Sequence, residues 1–240
     1  MAKIKNPNLI VDELVNDYRG VYGDDLESVV MYGDAVTHEY VPGVSEVKII
    51  LILRDHSLSE VKKCLDVQKQ WFKKGVNFPL ILTKQYVNTS LDTFPLDFLD
   101  IKLDYKVVSG EDCFKGLEIR NEDIRLHCER ELRSIALHMR RAFSSSYVRS
   151  IDTFDIFKSI ITRLLPVAKG ICVIRDHPVP RSKSDLISKI ETDNHIESMP
   201  FTEIMGIKRG HATKRREELF LKTADAVDQL INMVDTISLE

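Results

Sequence analysis

Polar residues at the ends of two apolar segments could carry out chemistry in this sequence. The first segment ends at Gly33 and Asp34; the second begins just after Ser45 and Glu46, and Lys48 lies near its start. In a strand, residues i and i+2 lie on one face, so Glu46 and Lys48 share a face. Two carboxylates at this spacing can hold the Mg²⁺ ions that neutralise a triphosphate, but an ammonium group has no lone pair to offer a metal. Lys48 therefore cannot be a metal ligand.

Strands and helices alternate in the first half of the sequence and would position these residues. Apolar periodicity predicts a helix over 8–22, strands over 28–32 and 47–53, a helix over 58–74 and a strand over 78–83. An alternating pattern predicts a further strand over 96–101. Strands that alternate with helices indicate a mixed α/β sheet.

The second half of the sequence is helical in pattern. Helices are predicted over 121–143, 153–168, 182–191 and 212–237. The pattern changes near residues 110–116, so we expect an α/β domain over 1–115 and a helical bundle domain over 116–240. The last helix has an apolar stripe formed by Phe220, Ala224, Val227, Ile231 and Val234.

The layout of the first half resembles the nucleotidyltransferase superfamily, and a helical second half makes it similar to kanamycin nucleotidyltransferase and its relatives. The family carries Gly-Ser at the first turn and Asp-x-Asp at the start of the second strand. This sequence keeps Gly33 and Ser45, has Glu46 in place of the first aspartate, and departs from the pattern at Asp34 and Lys48. The resemblance implies a nucleotidyltransferase-type mixed sheet followed by a bundle.

The resemblance also implies which residues form the site. The family takes a third carboxylate from a later strand, for which Asp97 is the best match and Asp100 the second. The implied catalytic and metal-binding residues are Glu46 and Asp97. Mg²⁺ is the implied cofactor, although the loss of one ligand at Lys48 argues against it. The expected nucleotide-binding residues are Gly33, Asp34, Ser45 and Lys48. Arg209 is added to them from the sequence itself, because it lies in a basic cluster over 208–216 that could contact an anionic ligand.

Two interpretations of the substituted positions stay open. Lys48 either fills the space of the missing cation and pairs with Glu46, Asp97 or a ligand phosphate, or it extends to water as an ordinary strand lysine. Glu46 is either a single metal ligand or general base, or an exposed carboxylate at a strand start. Asp34 would repel phosphates but is a good helix N-cap residue.

Composition excludes several classes of function. The chain has 240 residues, 43% of them hydrophobic, which is enough for a packed core. The net charge of −3 gives no bulk attraction for nucleic acid or for an acidic membrane surface. The four cysteines lack zinc or disulfide spacing and are expected to be free thiols. No apolar leader and no run of ~18 apolar residues is present, so the expected compartment is the cytoplasm.

The leading hypothesis is a divergent nucleotidyltransferase-fold protein, a pseudoenzyme that lacks ordinary two-metal transfer and keeps a cleft for a nucleotide or another anionic ligand. The alternative is an active enzyme that moves a nucleoside monophosphate from a triphosphate to a hydroxyl of a small molecule or protein. A third interpretation is an oligomeric protein, a homodimer in which the apolar stripe of the last helix contacts a second copy.

Overall fold

The computed structural model describes residues 4–149, 153–207 and 216–238. It forms two compact units, of which the first comprises Met1–Thr93 and Asp100–Glu118 and the second comprises Phe94–Leu99 and Ile119–Glu240. The expected domain boundary between residues 115 and 116 stays a prediction, because compactness does not test whether either part folds alone.

A four-stranded mixed sheet forms the centre of the first unit. The strands are β1 Leu26–Tyr32, β2 Lys48–Leu53, β3 Leu80–Leu82 and β4 Tyr105–Gly110. The sheet order is β3-β2-β1-β4, with β1 antiparallel to both β2 and β4, and β2 parallel to β3. The predicted mixed sheet is therefore confirmed. Sequence reasoning found the first three strands and missed β4.

Helices pack one face of this sheet into a core. Leu14 and Tyr18 of the first helix and Trp71 of the third pack with Met31 and Ile49, and all five side chains are buried. Burial of this apolar surface fixes the strands that carry the candidate site. The helices in this part of the chain are α1 Val11–Tyr22, α2 Leu58–Lys63, α3 Leu65–Lys74, α4 Lys84–Thr89 and α5 Pro95–Leu103. The single helix predicted over 58–74 is interrupted at Cys64, whose φ of −100° and ψ of 7° leave helical geometry.

The predicted strand over 96–101 is wrong, because this segment lies in α5. Leu96, Phe98, Leu99 and Ile101 are all buried, whereas Asp97 is exposed. Strict alternation would instead have placed Leu96 and Phe98 on the face opposite Asp97 and Leu99. Asp97 is therefore not a strand residue of the sheet.

The helical second half is confirmed. Its helices bury a continuous apolar core, in which the last helix packs against the first helix of this half and against the helix just before it. Phe220, Val227, Ile231 and Val234 of the predicted stripe are buried in this core, so the stripe is used within the chain and no longer supports a homodimer. The helices are α6 Asn121–Arg149, α7 Phe154–Ile174, α8 Lys183–Asp193, α9 Pro200–Gly206 and α10 Arg216–Thr236.

Two smaller expectations can be compared with the structure. Cys64, Cys113, Cys128 and Cys172 are free thiols, as predicted, and all but Cys113 are buried. None of the helices in the described part of the chain combines the length and the apolar character that crossing a membrane requires.

Candidate functional site

The first part of the candidate site is a tight turn after β1. Gly33 has a φ of +69°, a left-handed backbone conformation that glycine adopts without a steric penalty. Its N–H donates to the carbonyl of Asp104 at 2.8 Å, which anchors the turn. The turn continues only as a short 3₁₀ segment, Gly33–Val36. It therefore provides no long helix whose N-terminus could bind phosphates.

Asp34 closes the loop that connects the two strands. Its Oδ2 accepts a hydrogen bond from Ser45 Oγ at 3.3 Å, and Ser45 Oγ in turn accepts one from the Val41 N–H at 3.2 Å. The structure thus brings together two of the predicted nucleotide-binding residues, Asp34 and Ser45. Their contact has a structural effect, because it holds the end of the loop against its beginning.

Glu46 is an exposed carboxylate just before β2. Its Oε2 accepts a hydrogen bond from Asn77 Nδ2 at 2.8 Å. The intervening residue Val47 forms a parallel bridge with Val76, which brings the start of β2 next to the segment leading into β3. The Glu46 carboxylate is therefore oriented by its hydrogen bond from Asn77, a residue that sequence reasoning missed. A polar residue just before a predicted strand was the available signal.

Lys48 is the first residue of β2 and lies opposite Tyr32 in the antiparallel register. Its ammonium group is 5.8 Å from the centroid of the Tyr32 ring, within the range of a cation–π contact. Its Cδ lies 3.8 Å from the point that a Cβ on Gly33 would occupy. Within the described residues, Glu46 and Lys48 form no ion pair. A cation therefore lies beside the Gly33 turn.

The residues present do not fit a two-metal centre. The described ranges contain no group of three His, Cys, Asp or Glu side chains arranged to hold a metal ion. The neighbouring strand β3 carries only Leu80, Ile81 and Leu82, so it offers no carboxylate beside β2. Mg²⁺ requires several hard oxygen ligands in near-octahedral geometry, and Glu46 supplies one carboxylate while Lys48 supplies none.

Asp97 belongs to a charged cluster of the second unit. The pKa of His127 is lowered by burial first and by the charge of Arg130 second, while the charge of Asp97 acts in the opposite direction. His127 Nδ1 lies 3.1 Å from Arg130 Nη2. Neutral His127 is thus favoured, and Asp97 forms part of its electrostatic environment. No sequence motif marks His127. The predicted ligand residue Arg209 lies outside the described residues.

Comparison with known proteins supports the fold. No protein-family model and no curated protein sequence matches this chain. Among solved structures, it is similar to the spectinomycin adenyltransferase AAD(9) from Enterococcus faecialis, determined with ATP and spectinomycin. The TM-score is 0.58 at 11% sequence identity, over 91% of this chain and 98% of that one. The chain has a nucleotidyltransferase fold, in which a mixed-sheet part is followed by a helical part.

Proposed function

We propose that this nucleotidyltransferase-fold protein binds a nucleotide or another anionic ligand without the two-metal chemistry of active transferases. The observation that carries the proposal is the position of Lys48. It lies at the start of β2, beside the Gly33 turn, where the resemblance calls for a second metal-binding carboxylate. A lysine there places a fixed positive charge where an active relative would recruit a metal ion.

Simple electrostatics supports a direct contact between Lys48 and a phosphate. An ammonium and a phosphate oxygen about 4 Å apart attract each other by roughly 1–4 kcal/mol at the effective dielectric constants of a protein surface. The Tyr32 ring limits where the lysine head can go, since the two residues are cross-strand partners. A lysine acts as a point charge for phosphate and does not require the ligand to adopt one geometry.

The neighbouring residues fit a binding role better than a catalytic one. The Asp34 carboxylate accepts a hydrogen bond from Ser45 and would repel a triphosphate placed directly on the turn. The Glu46 carboxylate accepts a hydrogen bond from Asn77. It is the one carboxylate at the start of β2. Because two-metal catalysis stabilises the attacking and the leaving oxygens together, loss of a shared ligand removes most of its rate.

An active nucleotidyltransferase is the second candidate. It is favoured by the structural likeness to an adenyltransferase determined with ATP and spectinomycin. Such an enzyme would move a nucleoside monophosphate from a triphosphate to a hydroxyl, with Mg²⁺ as its cofactor and Glu46 as its carboxylate at the start of β2. It would release pyrophosphate only when magnesium is present, and Glu46→Ala would abolish that release.

Calorimetric titration with ATP, GTP, CTP and UTP separates the two candidates. Each nucleotide is titrated once in EDTA and once with excess Mg²⁺, and pyrophosphate release is measured with a panel of hydroxyl acceptors that includes spectinomycin. Binding in EDTA that does not strengthen with Mg²⁺ is the expected result. Binding that requires Mg²⁺, together with pyrophosphate release, would instead establish the enzyme.

A further inference from the structure

An exposed pair of aromatic rings lies next to the start of β2 and has no role in the proposed phosphate contact. The rings of Phe72 and Phe78 are stacked, with centroids 4.8 Å apart and planes 11° apart. Phe72 is 39% exposed and Phe78 is 57% exposed. Val44, which is 79% exposed, lies in the loop before β2. Exposed apolar side chains that lie together in this way are available to contact a ligand.

Phe72 also lines a small hollow that reaches the candidate site. The hollow has a volume of about 160 Å³, and its lining includes Val44, Ser45, Glu46 and Phe72. An apolar cavity of ~150 Å³ is large enough to hold a benzene ring. The hollow therefore has the size of one aromatic ring, with an apolar wall at Phe72 and a carboxylate at Glu46.

The polar groups of the hollow select for a hydrogen-bond donor. Oε2 of Glu46 accepts from Asn77, while Oε1 has no hydrogen-bond partner among the described residues. Lys74 also lines the hollow, but its ammonium donates a hydrogen bond to Glu13 Oε1 at 2.6 Å and lies 4.0 Å from the centroid of the Trp71 ring. Glu46 Oε1 is thus open to a hydrogen bond from a ligand, and a ligand with an N–H group at its edge complements it.

We propose that this hollow binds the ring of an amino-substituted nucleobase, with Phe72 against the ring and Glu46 accepting a hydrogen bond from the exocyclic amine. The inference rests on the proposed nucleotide-binding function, and it names adenine as preferred over unsubstituted purine, whose six-membered ring carries no N–H group. Stacking of a base on an aromatic side chain is worth about 1–3 kcal/mol, which corresponds to a change in affinity of about fivefold or more.

The experiment compares adenosine with purine riboside, which carries a hydrogen atom in place of the amine. Affinities are measured by ligand-observed NMR for the wild type, Phe72→Ala, Glu46→Gln and the control Phe94→Ala, whose phenylalanine is 40% exposed in the second unit. We expect adenosine to bind about fivefold more tightly than purine riboside. We expect Phe72→Ala to weaken the binding of adenosine by at least that factor, and Phe94→Ala to leave it unchanged.

Glu46→Gln tests the hydrogen bond without removing the side chain. A glutamine amide is uncharged and can donate as well as accept, so this variant should have a smaller preference for adenosine over purine riboside, or none. Equal affinities for the two nucleosides in the wild type, or an unchanged adenosine affinity in Phe72→Ala, would overturn the inference.

Titration with tripolyphosphate, which has no base, separates this inference from the proposed function. Binding of tripolyphosphate without binding of adenosine would overturn the nucleobase site and leave anion binding in place. Binding of adenosine with no response to tripolyphosphate, and with no gain in affinity for ATP, would support the nucleobase site and contradict the proposed function. Failure of both ligands to bind would contradict both.

Discussion

Glu46 and Glu191 are the same residue type in two very different environments. Glu191 is 0% exposed in the helical unit, where its carboxylate accepts hydrogen bonds from the N–H groups of Phe201 and Thr202 and from the Thr202 hydroxyl. It thereby caps the first turn of α9 from the end of α8. Glu46 lies in the sheet unit, is exposed, and has one amide partner.

The difference separates a structural carboxylate from one that is available to a ligand. A buried carboxylate must have its lone pairs satisfied, because burying an unpaired charge is costly, so every contact of Glu191 maintains the fold. An exposed carboxylate with an unused oxygen is hydrated and can exchange water for a ligand at little cost. Stability and ligand binding should therefore respond to different substitutions in the two units.

Glu191→Ala should give the largest loss of stability. It leaves the N–H groups of Phe201 and Thr202 without their acceptor and creates a small cavity, so we expect the free energy of unfolding to fall by about 3 kcal/mol. Chemical denaturation measures this loss, with exposed Glu197→Ala as the control. A loss below about 1 kcal/mol would show that water readily replaces the carboxylate and would remove the contrast with Glu46.

Lys48→Asp should produce the largest change in ligand binding with little effect on the fold. The substitution replaces a positive charge beside the Gly33 turn with a negative one, so ATP affinity in EDTA should fall at least tenfold, or about 1.4 kcal/mol. Mg²⁺ affinity should rise, because the introduced carboxylate would lie two residues from Glu46 on the same face of the strand. Calorimetry measures both, and Lys62→Asp is the control for charge alone. Unchanged Mg²⁺ affinity would contradict the assigned geometry of the turn.

Asp193 is intermediate in burial between Glu191 and Glu46, with a side chain that is 26% exposed. A hydrogen bond from Lys189 is the main cause that lowers the pKa of Asp193 below its usual 3.8. A lowered folded-state pKa contributes stability above the unfolded-state value, and that contribution is lost as pH falls through the folded-state pKa. Asp193→Asn should therefore destabilise by at most about 1 kcal/mol at pH 7, with the difference disappearing at acid pH. Urea denaturation of the variant and the wild type, at pH 7 and at a pH well below the usual carboxyl pKa, measures this loss of stability. A stability difference that does not depend on pH would contradict the pairing of Asp193 with Lys189.

Glu46→Ala should have the smallest effect on stability. Because Glu46 is exposed and its one described partner is the Asn77 amide, the free energy of unfolding should change by no more than about 0.5 kcal/mol. Thermal unfolding of the variant and the wild type measures the change. A loss comparable to that of Glu191→Ala would mean that Glu46 is a structural residue.

Sequence periodicity correctly predicted those helices and strands whose apolar pattern fits only one kind of secondary structure. The continuous apolar run of β2 and the long helices α6, α7 and α10 were found, because strands covered on both faces and long amphipathic helices have distinctive patterns. Residues 96–101 were assigned wrongly because Leu96-Asp97-Phe98 alternates as in a strand, whereas the apolar residues of the whole segment, at 96, 98, 99 and 101, have helical spacing. Pro95, at the first position of α5, was the signal for a helix.

The candidate site was predictable only in part. Spacing along the chain placed Gly33, Ser45 and Lys48 near the ends of two strands, because that information is local. It could not reveal Asn77 as the partner of Glu46 or Tyr32 as the neighbour of Lys48, since those contacts depend on strand register. The Phe72–Phe78 stack joins α3 to the segment before β3 and likewise follows from the tertiary structure.

The affinity of ATP in EDTA for the wild type and for Lys48→Ala, with Lys62→Ala as a matched surface control, tests the central claim most directly. Binding by the wild type and by Lys62→Ala, with at least a roughly fivefold loss in Lys48→Ala, is the result that metal-free anion binding at the Gly33 turn predicts. Equal affinities in all three proteins, or binding by the wild type only when Mg²⁺ is added, would contradict it.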